Sequence, residues 1–433
     1  MSSNIKATGA GRSFLFLQGP HGPFFSQLGN RLGASGASVT RVGFNAGDQA
    51  FWPDRDSYVA FRAPLSEWPS LLAEVISNNR ITDIVLYGDT RPVHAKAISL
   101  ARDIGLSVHV FEEGYLRPFW VTYERGGSNG NSRLMEISVE KMRRHLSEAS
   151  TVAIQAPDHW GDMREHVFYG ALYHWFLLFR NRKYRNFKSH RSITVGQEFT
   201  LYLKRLLLMP AHWVGRITAT RRIKRGGFPY HLALLQLEHD ASFQAHSSFA
   251  TMTEFLQLVI VSFAKGAPTH HHLVFKAHPL EDGRVPIEDE IRGLALENGI
   301  SDRVHFLRGG KLARLLDAAQ TAVSVNSTAI QQALWRGLPV KTFGDAVYNK
   351  PEFVSEQGLT GFFRAPTRPD TAAYRDYRQY LLETSQVTGG FYAARSRRQL
   401  LRNVVDMMLY HKDPYDALKV PTAAPAQQLR VVK

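Results

Sequence analysis

The sequence predicts an α/β protein built from two Rossmann-like, doubly wound parallel sheets with a helical, basic insert between them. Three observations predict it. Short apolar, β-rich runs alternate with helix-periodic segments in the first third of the chain. The same alternation resumes after residue 228. The stretch between is aromatic and rich in Lys and Arg instead. Alternation of strand and helix marks an open parallel sheet. The expected organisation is an N-terminal domain over 1–138, an insert over 139–227, a second α/β domain over 228–405 and a tail over 406–433.

In the first domain the expected strands are Ser13–Leu17, Ser38–Phe44, Asp83–Tyr87 and Ser107–Phe111, with helices such as Trp68–Ser77 and Val93–Asp103 between them. The run Gln18-Gly19-Pro20-His21-Gly22-Pro23 after the first strand has neither the spacing of a dinucleotide fingerprint nor the lysine of a P-loop. An NAD enzyme or a phosphotransferase is therefore disfavoured. In the second domain the expected strands are His231–Leu237, Leu273–Lys276, Val304–Leu307, Ala322–Val325 and Val340–Phe343. Thr251–Ala264, Lys311–Ala319 and Thr328–Arg336 read as helices, and Thr422–Lys433 as a disordered tail.

Composition narrows the class. The chain has 433 residues, 44% of them hydrophobic, and no cysteine. That suits a globular protein with large cores, and it removes disulfide scaffolds and cysteine metal sites. Met1–Arg12 lacks a signal-peptide core, and no apolar stretch reaches spanning length. A cytosolic protein is expected. The net charge of +15 is local: Arg180 to Arg225 holds 13 Lys/Arg against one acid, Glu198. Such a patch meets a polyanion, which leaves nucleic acid, anionic lipid or an acidic sugar donor. Tyr184 and Phe187 could stack on bases, but no nucleic-acid motif accompanies them.

Ligands of doubly wound sheets bind beyond the carboxyl ends of the strands, so those ends carry the chemistry. Glu112-Glu113-Gly114 follows a strand. Adjacent carboxylates hold a shared proton more easily, which poises one for acid/base work. The glycine permits a sharp turn and close approach of a ligand. A solvated turn is the alternative. Lys276-Ala277-His278-Pro279 places a histidine where it could bond a phosphate or protonate a leaving group; an ordinary loop histidine and a surface lysine are the alternatives. Asn326-Ser327-Thr328 before a helical run makes an anion site or a plain N-cap. Asp240, after another strand, reads as a nucleophile or a turn acid. The triple histidine His270, His271 and His272 suggests a metal by composition. Successive strand residues point to opposite faces, however, so no metal site is expected.

An acidic pair with glycine, a His-Pro and a Ser/Thr pair, in that order, resemble the motif set of bacterial CMP-sugar transferases. The surrounding text is similar to the capsule polysaccharide β-Kdo transferases of the KpsS type (Kdo is 3-deoxy-D-manno-octulosonic acid). The matching stretches are Leu17–Pro20, Phe44–Asp48, Tyr87–Pro92, Glu112–Pro118, His246-Ser247 and Asn326–Ala333. The resemblance covers about Phe14 to Phe363. It implies a GT-B glycosyltransferase, with an acceptor-side first domain and a CMP-sugar-binding second domain. Such an enzyme uses CMP-β-Kdo with no metal or other cofactor and retains the β configuration. It implies Asp240 as nucleophile and Glu113, with Glu112 beside it, as acid/base. His278, Pro279, Lys276, Asn326, Ser327 and Thr328 would hold the donor. The chain carries Glu-Glu-Gly-Tyr where two-module relatives tend to have Glu-Asp-Gly-Phe, and its single module favours transfer onto a primer.

The implied acceptor is lyso-phosphatidylglycerol or a Kdo-primed glycolipid. The implied location is cytoplasmic, peripheral on the inner face of the cytoplasmic membrane, with other capsule synthesis and export proteins as partners and no nucleic acid. Trp175–Phe179, Phe199–Trp213 and the basic residues Arg221, Arg222, Lys224 and Arg225 suit a helix in an anionic headgroup plane; a core helical insert is the alternative. Two rival functions share these features: another, sialyl-type CMP-sugar transferase, and a non-catalytic lipid-binding capsule assembly or export factor.

Overall fold

The computed structural model describes residues 8–148, 163–187, 214–215, 217–218, 220–223, 225–279, 281 and 285–418. Two compact units divide the chain. The first comprises residues 1–133, 140–190 and 378–433, the second 134–139 and 191–377.

The first unit opens with β1 (Ser13–Phe16), α1 (Phe24–Ala34), β2 (Ser38–Gly43), α2 (Ala46–Ala50), β3 (Tyr58–Ala60), α3 (Trp68–Asn78), β4 (Asp83–Tyr87), α4 (Pro92–Asp103), β5 (Ser107–Glu113) and β6 (Trp120–Arg125). Helices α5 (Val139–Glu148) and α6 (Met163–Arg180) follow. With a late strand β12 (Gln386–Thr388), its sheet has the order β12-β6-β5-β4-β1-β2-β3. Strands β5, β4, β1, β2 and β3 are mutually parallel, while β6 pairs antiparallel with β5. Both faces are covered, which is why β1 reads Ser-Phe-Leu-Phe with no polar alternation. Phe14 and Phe16 meet Phe24, Phe25 and Leu28 of α1, whereas Leu15 meets Trp68 and Leu72 of α3 and Ala97 and Ala101 of α4 on the other face.

The second unit contains β7 (Tyr230–Leu234), α7 (Ala241–His246), α8 (Met252–Gly266), β8 (His272–Lys276), α9 (Ile287–Glu297), β9 (Val304–Leu307), α10 (Leu312–Leu316), β10 (Ala319–Ser324), α11 (Gln331–Trp335), β11 (Val340–Thr342) and α12 (Leu359–Arg364). Its five strands are parallel in the order β11-β10-β7-β8-β9. The order reverses at β7, which places the topological switch point between β7 and β10. Phe255, Leu256, Val259 and Phe263 of α8 pack with Phe275 of β8 and Phe362 and Phe363 of α12. Thr251 caps α8 by accepting the Glu254 N–H, and Glu254 answers by accepting from Ala250.

The boundaries drawn from sequence differ from these units in two places. After α13 (Thr371–Thr384) come β12 (Gln386–Thr388), α14 (Ala394–Leu409) and α15 (Pro414–Ala417). Strand β12 pairs with β6, and Leu400, Leu401, Val404 and Met408 of α14 pack on Phe24 and Phe25. Residues 378–405, assigned by sequence to the second domain, thus complete the first. The expected tail from 406 is folded as far as Leu418, with Tyr415 buried; Thr422–Lys433 lies outside the described residues. The expected insert is likewise divided: residues 140–190 belong to the first unit and the remainder to the second.

Candidate active site

In the first unit the strand does not stop before the acidic pair. β5 runs through both residues, with Glu112 opposite Thr122 and Glu113 opposite Val121 on β6. Adjacent strand residues leave opposite faces. The two carboxylates therefore diverge, and the shared-proton argument loses its geometry. Glu112 Oε1 accepts the Glu113 N–H at 3.0 Å, and its Oε2 lies against Gly88. Gly114 has a packing role: a Cβ there would come 2.1 Å from the Trp120 carbonyl oxygen.

Glu113 enters an aromatic pocket. The Tyr87 hydroxyl donates to Glu113 Oε1 at 3.4 Å. Tyr392 stacks on His166 of α6, with ring centroids 4.1 Å apart and 16° between planes. Burial pushes the Tyr87 and Tyr392 phenols well above their usual range, and the Glu113 charge pushes the same way, so both remain protonated donors. Burial lowers the His166 pKa against an opposing pull from Glu113. A neutral imidazole and two phenols thus surround one carboxylate. The guanidinium of Arg91 lies over the Tyr87 ring, 5.8 Å from its centroid, and Arg117 Nε donates to the Gly114 carbonyl at 3.3 Å.

Motif Phe44–Asp48 is architectural. Asn45 caps α2 by accepting the Asp48 N–H, and Asp48 accepts from Phe44 N, Gln18 Nε2 and Arg41 Nη2. Tyr173 of α6 then closes over this turn: Asn45 donates to its hydroxyl at 2.7 Å, and Gly47 leaves room for its ring.

In the second unit the residues that sequence analysis singled out come from three adjacent strand ends: Asp240 follows β7, His278 follows β8, and Asn326-Ser327-Thr328 follow β10. Asp240 is exposed at the start of α7 and its side chain does not cap that helix. His278 is half-buried, with its carbonyl accepting the Glu281 N–H, and Pro279 is exposed. Lys276 is no surface charge. It is 7% exposed, its Nζ donates a long 3.3 Å bond to the Ala277 carbonyl, and burial lowers its pKa. Asn326 is committed within the fold. Its Nδ2 donates to the carbonyls of Ser242 and His246, and its Oδ1 accepts from Gln236. Ser327 Oγ accepts the Ala329 N–H, opening the 3-10 turn Thr328–Ile330 that leads into α11. Tyr348 holds that turn through the Ser327 carbonyl at 2.8 Å.

Sequence reasoning missed several residues at these edges. Gln236 and His246 line the switch point, and His246 Nε2 is buried with no hydrogen-bond partner among the described residues. Tyr87 and His246 lay within recognised motifs but had no role assigned. His166 and Tyr392 lie in stretches without a motif, so no local signal marks them. Of the triple histidine only His272 lies in β8; His271 bonds His231, His272 bonds His305, and the His270 and His271 ring centroids are 4.6 Å apart. Arg221, Arg222 and Arg225 are exposed, and Lys224 lies outside the described residues, as do Phe199–Trp213. Arg222 sits close enough to His305 to help depress its pKa, after burial, to about 4. His305 lies toward the amino ends of the strands, away from the loops that carry His278 and Ser327.

Two Rossmann-like units on one chain, each with polar residues gathered at the carboxyl ends of its strands, are the plan of the GT-B glycosyltransferases. The sequence profile described as capsule polysaccharide biosynthesis protein matches residues 82–392. The chain belongs to this family of capsule polysaccharide biosynthesis proteins. It is 31% identical over 388 residues to the capsule polysaccharide modification protein LipB of Neisseria meningitidis serogroup A, covering 88% of this chain and 92% of that protein. It is 30% identical over 391 residues to the capsule polysaccharide export protein KpsS of Escherichia coli, covering 88% and 97%. Among solved structures, the β-Kdo 2,7 transferase of Thermosulfurimonas dismutans KpsC aligns over 92% of this chain and 100% of that one, at 12% identity and a TM-score of 0.44.

Proposed function

We propose that this protein is a retaining β-Kdo transferase. It would move Kdo from CMP-β-Kdo to lyso-phosphatidylglycerol, or to its Kdo-primed form, during synthesis of the capsular polysaccharide linker. The observation that carries this reading is the gathering of Asp240, His278 and Ser327 on three adjacent strand ends at the switch point, in a member of a capsule polysaccharide family.

Asp240 is the nucleophile in this reading, and its exposed, uncapped carboxylate is compatible with attack. Attack at C2 of Kdo breaks the bond from C2 to the phosphate oxygen, and CMP leaves with the electron pair. The acceptor hydroxyl then attacks C2, its proton passes to Glu113, and Asp240 departs as a carboxylate. His278 and the Ser327-Thr328 turn meet the charge on the leaving phosphate, so no metal is needed. Lys276, with its pKa lowered by burial, is a secondary donor-side group in this reading. Asn326 and Gln236 position the loops. Glu112, on the opposite face of β5, supports the Glu113 backbone.

The membrane contact we assign is α6. Tyr169 and Tyr173 face inward against Gly22 and Gly47. Val167, Phe168, Trp175, Leu178 and Phe179 are exposed along the helix, followed by exposed Arg180, Arg182, Lys183 and Arg185. An apolar stripe ending in cations suits the interface of an anionic bilayer. No helix among the described residues is long and apolar enough to cross a membrane, so the association would be peripheral, on the inner face of the cytoplasmic membrane.

A second reading, a non-catalytic lipid-binding export factor, draws support from the name of the Escherichia coli relative. One assay separates the two. CMP-Kdo generated in situ is incubated with a lyso-phosphatidylglycerol analogue, with and without EDTA, and products are read by mass spectrometry beside a CMP-sialic acid control. A Kdo adduct that forms in chelator supports the proposal. An adduct only from CMP-sialic acid points to a sialyl-type transferase. No adduct from either donor favours the export factor.

A further inference from the structure

Two cations near the Glu113 pocket have no role in the transfer as described. Arg91 precedes α4 in the connection after β4, and Arg117 lies in the connection between β5 and β6. Both connections leave the carboxyl edge of the sheet beside the strand that ends in Glu113. Among the described residues neither guanidinium makes an ion pair, although both act on groups that Glu113 also acts on, Arg91 on the Tyr87 and Tyr392 phenols and Arg117 on the His166 ring. Arg91 is positioned by its place over the Tyr87 ring, whose hydroxyl bonds Glu113. Arg117 is anchored by its Nε on the carbonyl of Gly114, the residue after Glu113. That bond leaves both Nη groups of an exposed side chain for another acceptor.

We propose that Arg91 and Arg117 form an oxyanion-binding subsite for the acceptor, adjoining Glu113. A guanidinium offers parallel N–H donors in a fixed fork that matches phosphate or carboxylate. Two such forks near one carboxylate do not serve to neutralise it, because contact pairing would do that directly and is not made. They instead suit a substrate that brings its own negative charge a few bonds from the hydroxyl it presents to Glu113. Attraction of that anion to the two cations offsets its repulsion from Glu113 and fixes which hydroxyl faces the carboxylate. The anion is a phosphate in a glycerophosphate acceptor and a carboxylate in a Kdo-terminated one, and the same forks serve either. The inference rests on the transferase reading for its purpose, but the binding it describes needs no donor.

The test has a binding arm and a transfer arm. The full-length protein is titrated calorimetrically with glycerol 1-phosphate, with the β-methyl glycoside of Kdo, and with uncharged glycerol. Saturable binding of at least one anionic probe and none of glycerol is expected. Arg91→Gln and Arg117→Gln should each weaken it about tenfold, the scale of one charge-assisted hydrogen bond. The two anionic probes decide between phosphate and carboxylate. Arg117→Lys should recover only part, since it restores charge without the fork. Unchanged thermal unfolding of these surface variants confirms that binding is what changed. In the transfer arm, the preference for an anionic over an uncharged acceptor should fall at least tenfold in the double variant. Binding that is equal in wild type and double variant, or absent from both, overturns the subsite. Arginine-dependent binding without any transfer from CMP-Kdo leaves the subsite standing and removes the transferase reading. Transfer with unaltered acceptor preference does the reverse.

Discussion

Gln236 and Asn326 exchange two hydrogen bonds across the point where the strand order of the second unit reverses. Gln236 Nε2 donates to Asn326 Oδ1 at 2.7 Å, and the Asn326 N–H donates to Gln236 Oε1 at 2.9 Å. Both side chains are buried. The pair ties the loop after β7 to the loop after β10, and Asn326 Nδ2 extends the tie to the carbonyls of Ser242 and His246 on α7. Asp240, exposed, and Ser327, half-buried, sit on the loops that this buried pair of amides joins.

Removing either amide leaves a buried partner unsatisfied, which costs about 1–3 kcal/mol. Gln236→Ala and Asn326→Ala are expected to lower unfolding free energy in urea by that amount. Their effects should not add, and a double-mutant cycle should return about 0.5–3 kcal/mol of coupling. Additive losses would show that the two amides act separately.

Glu113→Gln and Asp240→Asn should each reduce turnover by about 10²–10⁴ while the fold survives. They should differ in one respect. In Glu113→Gln the second step stalls, so intact mass spectrometry should find Kdo attached to the protein and peptide mapping should place it on Asp240. Glu112→Gln should be far milder, because that carboxylate leaves the other face of β5. Full activity in Glu113→Gln or Asp240→Asn would remove the assignment.

Glu124 gives the first unit a pH dependence of stability. It is buried, and it accepts from Tyr115, Ser132 and Tyr415. Burial outweighs those bonds and raises its pKa to about 7 from 4.5. A carboxyl whose folded pKa is raised contributes stability that is complete below the unfolded value and is lost as pH climbs through the folded one. Between pH 5 and 8 wild type should lose up to about 3 kcal/mol relative to Glu124→Gln. Urea titrations at four pH values test this, and parallel curves for the two proteins would contradict it.

Membrane attachment should depend more on α6 than on the basic residues at 221–225. A variant with Phe168, Trp175 and Phe179 changed to Ser should sediment less with phosphatidylglycerol vesicles. Neutralising Arg221, Arg222, Lys224 and Arg225 should have a smaller, salt-dependent effect, at about 1 kcal/mol per charge at the surface. The reverse ranking would return the contact to the basic patch.

The sequence alone determined the alternation of strand and helix, because that alternation is written in local periodicity. Asp83–Tyr87 and Val304–Leu307 are strands at the bounds expected, and the helix over Trp68–Asn78 differs by one residue. It also marked the strand ends as the places to search and carried enough motifs in register to indicate the family. Tertiary structure decided what those motifs do. Whether Glu112 and Glu113 share a face depends on whether β5 continues past Phe111, and that is set by pairing with β6. Asn326 reads as a ligand-binding amide until Gln236 and Ser242, 90 and 84 residues away, are seen to use it. The return of β12 and α14 to the first sheet joins Gln386 to Thr122. His166 and Tyr392 reach the Glu113 pocket from 53 and 279 residues along the chain. Local spacing carries no information about such contacts, because they form only when buried area and backbone pairing elsewhere repay the entropy of closing long loops.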